Sequence, residues 1–246
     1  MPELFFKFLS INDKKHLNRV INIINDHSIY FPTKYKLNDP MEGCFTNYRL
    51  AYAGNSIAAA TEPEDPILKK ERGKFRILSL SESCFIPQLW AYYADNYSGI
   101  CLCYYSRGKF KSAKQIEYKS SDEHSRDFLD NYDDESIKSS FLIKEEGWKY
   151  EKEWRIVEKS KNKYFEYDKS DLAAVIFGPK VKTCKKKRII AKLPDNFPIY
   201  NLHICAEQLR LFLLEDGTAI EKDGLTPNFI CNTDELFKRI KINNFK

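Results

Sequence analysis

The sequence predicts a single mixed α+β domain whose sheet is split and mainly antiparallel, with helices flanking it, and three observations carry that expectation. Short apolar, β-branched or aromatic runs recur along the chain at strand length, among them Leu4 to Leu9, Phe75 to Ser81 and Gly99 to Tyr105. Stretches of helical period lie between some of these runs, while others follow one another closely enough to favour antiparallel pairing. No repeat, low-complexity linker or compositional break divides residues 1–246, so the chain reads as one domain.

Taken in order, Leu4 to Leu9 is a short strand interrupted by Lys7, and Asn12 or Asp13 can cap a helix that reaches about Ile24 through Leu17, Val20 and Ile21. Ile29-Tyr30-Phe31 reads as a second strand, followed by the turn Leu37-Asn38-Asp39-Pro40, whose Asn and Asp can bond nearby backbone. The alanines between Ala51 and Ala60 suggest a helix ending before Pro63 and Pro66. Phe75 to Ser81 is a central-strand candidate, and Pro87 opens a helical turn or two over Gln88 to Tyr93. Gly99 to Tyr105 is strongly apolar, and the acidic stretch from Ser120 to Ile143 carries a helix with Phe128, Leu129 and Ile137 on its apolar side. The last third alternates strand (Leu172 to Phe177), basic helix (Lys180 to Lys192), strand (Phe197 to Cys205) and strand (Gln208 to Leu214).

Composition excludes several classes. With 246 residues, 43% hydrophobic and 14% aromatic, the chain can bury a sizeable core, which argues against disorder. It has no apolar run long enough to span a bilayer, and Met1 to Lys7 lacks the pattern of a secretory leader, so a cytoplasmic protein without membrane partners is expected. The seven cysteines show no Cys-x-x-Cys spacing and sit mostly among apolar neighbours, as buried free thiols do; Cys101-x-Cys103 is the alternative for zinc or redox chemistry. Phosphate loops, dinucleotide fingerprints, His-Glu-x-x-His and Gly-x-Ser-x-Gly are all missing. Four scattered histidines give no metal set, so none is assigned.

What remains is a set of polar residues inside apolar segments. In Trp148-Lys149-Tyr150-Glu151-Lys152-Glu153-Trp154-Arg155-Ile156, a continuous strand would place Glu151, Glu153, Lys149 and Arg155 on one face. Like-charged carboxylates so placed are either relieved by partners such as Arg155 and Lys149 or used for chemistry. Ser79 and Ser81 share a strand face, and Lys7 interrupts the first strand, where an edge-strand lysine reaching for solvent is the plain explanation. Trp90, Tyr92 and Tyr93 cluster beside Asp95 and Asn96, as a packed aromatic patch would. Lys180, Lys182, Lys185, Lys186, Lys187, Arg188 and Lys192 form a basic helix face that either serves solubility or contacts nucleic acid or another partner without catalysis.

Across nearly the whole chain the order of segments resembles a bacterial family catalogued as domain of unknown function 2971. The matching strings are Phe6-Lys7-Phe8-Leu9-Ser10, Leu37-Asn38-Asp39-Pro40-Met41-Glu42, Leu78-Ser79-Leu80-Ser81-Glu82, Leu89 to Asn96 running into Gly99-Ile100-Cys101, and Trp148 to Arg155. Leu9 stands where an arginine is usual and Tyr92 where a histidine is expected. A second resemblance is to the ADP-ribosyltransferases that carry an arginine, a Ser-Thr-Ser strand and a Glu-x-Glu element in that order, here Lys7, Ser79-Leu80-Ser81 and Glu151-Lys152-Glu153. It implies an ADP-ribosyltransferase-like split sheet and NAD as substrate, with either transfer to an unidentified macromolecular acceptor or hydrolysis. The family resemblance implies a toxin or phage-defence effector. Cleaving the nicotinamide–ribose bond passes through an oxocarbenium-like state, for which a carboxylate is the natural stabiliser. The implied roles are Glu153 as that stabiliser, Glu151 as the group orienting or deprotonating the acceptor, and Ser79 as a ribose-positioning residue. Lys7 would meet the phosphates, Ser81 would assist, Trp90 or Tyr93 would stack on a ring of NAD, and Asn38 and Asp39 would shape the covering loop. A polar network of Glu151, Arg155, Lys7 and the serines that only stabilises the fold is the competing explanation.

Overall fold

The computed structural model describes residues 1–39, 50–53, 56–59, 66–120, 133–205, 210–216 and 229–243. The expected pieces Pro40-Met41-Glu42, Ala60, Pro63, Phe128, Leu129 and Gln208 lie outside them. Strands run in chain order as β1 (Leu4–Leu9), β2 (Ser28–Tyr30), β3 (Leu50–Ala53), β4 (Ser56–Ala59), β5 (Phe75–Ser81), β6 (Ile100–Tyr105) and β7 (Lys114–Gln115). They continue as β8 (Glu117–Lys119), β9 (Ile143–Glu145), β10 (Glu153–Lys159), β11 (Tyr164–Glu166), β12 (Leu172–Phe177), β13 (Ile199–Cys205) and β14 (Arg210–Glu215). The α-helices among the described residues are Lys14–Asp26, Pro66–Arg72, Pro87–Tyr93, Asp134–Ser140, Thr183–Ile190 and Thr233–Asn243.

The chain separates into two compact units. The first comprises Met1–Ile29, Leu80–Lys111 and Glu166–Lys246, and the second comprises Tyr30–Ser79 and Ser112–Phe165. In the first unit the strand order is β14-β13-β12-β6-β1, with the end of β5 beside β1 through the pair Phe6↔Ser81. Among the described residues of this sheet β12 and β13 run parallel, as expected for two strands with the Thr183–Ile190 helix between them, and the other pairs are antiparallel. The centre is dry because its sequences are: Leu172–Phe177 is buried at all six positions, and Ile100–Tyr105 at five of six. Asp13 caps the first helix by accepting the His16 N–H at 2.8 Å, and His27, in the left-handed conformation, closes it.

The first unit also contains an unusual turn. Asp95, Asn96 and Tyr97 are consecutively left-handed, with φ of 53°, 49° and 68°, after the Pro87–Tyr93 helix. The chain then passes so close to a neighbouring loop that a Cβ at Gly178 would lie 2.3 Å from the Tyr97 carbonyl oxygen, which explains the glycine there.

The second unit holds the order β5-β10-β7, the parallel pair β8 and β9, and the antiparallel pair β3 and β4. Its apolar core joins Leu68, Phe75, Ile77, Ile137, Phe141 and Val157. Two expectations are corrected here. The alanine-containing segment forms the strands Leu50–Ala53 and Ser56–Ala59 rather than a helix, because intrinsic alanine propensity is a weak force against pairing. The stretch from Trp148 is not one strand: Glu146–Glu151 is a 3₁₀ turn, Lys152 is left-handed (φ 48°, ψ 51°), and extension begins only at Glu153. Among the described residues no helix is long and apolar enough to cross a membrane.

Candidate functional site

The second unit encloses a cluster of four opposite charges, and the local backbone explains how it forms. β10 places Glu153 and Arg155 on one face, two residues apart and both buried. The 3₁₀ turn ends in the left-handed Lys152, which reverses the chain so that Glu151 turns inward beside Glu153 even though the two do not share a strand face. Parallel pairing of β8 with β9 sets Tyr118 opposite Lys144.

The contacts are short and mutual. Arg155 donates from Nε to Glu153 Oε1 at 2.6 Å, from Nη2 to Glu153 Oε2 at 3.0 Å, and from Nη1 to the Phe141 carbonyl at 2.8 Å. Lys144 Nζ donates to Glu151 Oε2 at 2.6 Å and to Glu153 Oε2 at 3.0 Å, and lies 4.7 Å from the centre of the Trp148 ring. The Glu153 backbone N–H donates to the Tyr118 hydroxyl at 2.8 Å. All four charged side chains are at most 5% exposed, so little water competes for these bonds.

Burial alone would raise the Glu153 pKa. The charges of Arg155 and Lys144, with hydrogen bonds from Arg155 and Ser79, outweigh it and hold the carboxyl down at about 2, so Glu153 is an anion. Burial pushes the Tyr118 phenol up to about 12, assisted by the charges of Glu153 and Glu151. With two cations and two anions the cluster is neutral, the condition under which buried charges are tolerable.

Of the residues singled out from sequence, Glu153, Glu151, Ser79 and Arg155 are brought together. Lys149 is not: it is exposed and faces Glu146 at 3.8 Å. Asn38 is exposed and Asp39 half-buried, both just beyond the Lys34–Lys36 turn. In the first unit, Lys7 is half-buried on β1, which has β6 and β5 as neighbours, so the edge-strand explanation is corrected: this lysine lies within the sheet. Ser81 terminates β5, donating to the Ser83 carbonyl and accepting the Ser83 N–H, each at 3.2 Å. Trp90 is fully buried, its indole N–H donating to the Cys84 carbonyl at 2.7 Å and its ring edge-on to Phe8 and parallel to Tyr97. This indole therefore packs the core. Tyr93 is half-buried at the end of its helix.

Lys144 and Tyr118 escape the sequence reading. Lys144 had a usable signal, since Phe141-Leu142-Ile143-Lys144 is an apolar run broken by a lysine, the pattern that draws attention to Lys7. Tyr118 had none, because Glu117 and Lys119 flank it. Cys84, Cys101 and Cys103 are buried free thiols whose pKa values burial pushes up, whereas Cys184 and Cys231 are exposed.

The basic helix uses part of its charge internally, within the first unit. Lys185 Nζ donates to the carbonyls of Ile11 and Asn12 at 2.6 and 2.7 Å, Lys186 binds Asn201 and Asp216, and Arg188 reaches Asn18 at 3.2 Å. Lys182 and Lys187 remain exposed on this segment. Comparison with family models, with characterised proteins and with solved structures yields no match.

Proposed function

We propose that the chain acts on NAD, as an ADP-ribosyltransferase-like or NAD-cleaving protein, with Glu153 stabilising the oxocarbenium-like state. The observation that supports this reading is the side-chain hydrogen bond of Ser79 on β5 with Glu153 on β10, which holds the carboxylate as an oriented anion. In this reading a ribose hydroxyl takes the place that Lys144 Nζ occupies on Glu153 Oε2. Glu151, released from the same ammonium, then orients or deprotonates the acceptor nucleophile. The resemblance to domain of unknown function 2971 and the split-sheet architecture belong to the same proposal, as do a toxin or defence role and an unidentified macromolecular acceptor.

A second reading is favoured by enclosure. Both carboxylates are 4% exposed and neutralised by Lys144 and Arg155, as expected of an internal scaffold. One experiment separates the two: purified protein is incubated with NAD, with and without cell lysate, and nicotinamide release is measured for wild type, Glu153→Gln and Ser79→Ala, alongside thermal unfolding. Release that falls at least about a hundredfold in a still-folded Glu153→Gln supports the NAD reading. No release from wild type, together with marked destabilisation of Glu153→Gln, establishes the scaffold instead.

A further inference from the structure

The first unit contains an open groove of about 790 Å³, within the range of roughly 300–1,000 Å³ common for small-molecule sites. Its lining includes the apolar side chains of Leu172, Phe197 and Phe237 and the cations Arg107, Lys169 and Lys241. From this combination we infer a binding site for a flat aromatic anion of the nucleoside monophosphate class.

The best-built element is Arg107. Its Nε donates to Asp171 Oδ1 at 3.0 Å, its Nη2 donates to the Ser170 carbonyl, and its guanidinium carbon lies 4.6 Å from the centre of the Tyr105 ring. Asp171 is 4% exposed and is itself fixed by a capping box with Asp168. Gly108, at φ +54°, lets the chain turn past that carboxylate, since a Cβ there would lie 3.0 Å from Asp171 Oδ2. A buried carboxylate and a glycine turn thus hold one guanidinium over one ring. These two bonds use Nε and Nη2, which leaves the Nη1 donors to face a ligand. In the same lining Lys241 Nζ sits 4.2 Å from the centre of the Phe237 ring, and Phe237 meets Tyr105 edge-on at 6.5 Å.

The ligand class follows from chemistry and charge. Aromatic side chains and an arginine plane are what a nucleobase stacks on, while a guanidinium and an ammonium are what a phosphate seeks. Size is limited by charge: Arg107 is already paired with Asp171, and Lys169 and Lys241 are opposed by Glu3 and Asp168, which also line the groove. A groove so nearly balanced suits one phosphate and not a polyanion such as a nucleic-acid strand. The base lies against Phe197 and Phe237, and the phosphate takes Arg107 Nη1 and Lys241 Nζ.

Titration calorimetry of the full chain with AMP tests this, with adenosine and inorganic phosphate as separate arms. Expected is saturable AMP binding tighter than either part alone. Arg107→Lys keeps a cation beside Asp171 but loses the flat fork, and should weaken binding about tenfold or more; Lys241→Gln, at an exposed position, should weaken it by several-fold. Absence of saturable binding, phosphate binding as tightly as AMP, or AMP affinity unchanged in both variants would each overturn the inference. Binding is read without turnover, so a failed nicotinamide-release assay leaves this result standing.

Discussion

Lys144 and Lys185 each bridge two oxygens through one ammonium, at distances between 2.6 and 3.0 Å, yet they sit in different physical settings. Lys144 is enclosed and faces two carboxylates, themselves buried and dependent on it for neutrality. Lys185 is half-buried and faces two uncharged carbonyls, that of the buried Ile11 and that of the exposed Asn12. Hydrogen-bond geometry alone would rank the two alike. The difference lies in what each leaves behind when removed: two buried anions short of one positive charge, or two uncharged carbonyls, one of them on an exposed residue.

The largest effect should therefore come from Lys144→Met. Taking the ammonium away from Glu151 and Glu153 leaves the buried cluster with an uncompensated negative charge, which should cost about 3–5 kcal/mol in urea unfolding. Adding Glu151→Gln to restore charge balance should recover a substantial part of that loss, a coupling readable as a double-mutant cycle. If Lys144→Met costs no more than an ordinary surface change, enclosure is not what distinguishes the two lysines.

Acid is the next lever. Glu153 is held at about 2 in the folded chain against an ordinary 4.5, a depressed value, so its contribution is fully present above about pH 4.5 and is lost as pH falls from there toward 2. Stability measured across that window should fall for the wild type and flatten in Glu153→Gln. Parallel curves for the two proteins would show that Glu153 gains no protection from Arg155 and Lys144. Lys185→Ala should be milder, about 1 kcal/mol, and Lys187→Ala, which removes an exposed charge, should stay within about 0.5 kcal/mol.

The same contrast explains what the sequence made legible. β6 and β12 announce themselves because central strands buried on both faces are nearly continuously apolar, as the run Leu172–Phe177 is. Asp13 is legible as a cap because its side chain has a local job, three residues from its partner. The meeting of Glu153 with Arg155 is legible for a similar reason, being set by strand alternation. Lys144 is marked by the apolar run it breaks, but its meeting with Glu151 and Glu153 is not legible, because it depends on β8 and β9 pairing in parallel and on a turn that no residue type signals. The segment around Ala51 to Ala59 misleads for the opposite reason: alanine favours helix only weakly, and Gly54-Asn55, a dipeptide typical of hairpin turns, is the better guide to the antiparallel pair Ala53↔Ser56.

A small effect of opposite sign probes the turn that makes the enclosed cluster possible. Lys152 holds φ 48° and ψ 51°, a conformation costing a side-chain-bearing residue about 1–2 kcal/mol relative to right-handed backbone. Its side chain is exposed, so Lys152→Gly should relieve the strain, while the greater freedom of glycine in the unfolded chain takes back about half to one kcal/mol. The net expectation is a gain of about 0.5 kcal/mol, seen as a higher urea midpoint at unchanged slope. Such a gain would mean the strain is tolerated because the turn delivers Glu151 to Lys144, and that the delivery depends on backbone shape rather than on the lysine. A loss instead would show the Lys152 side chain contributing to the cluster's surroundings.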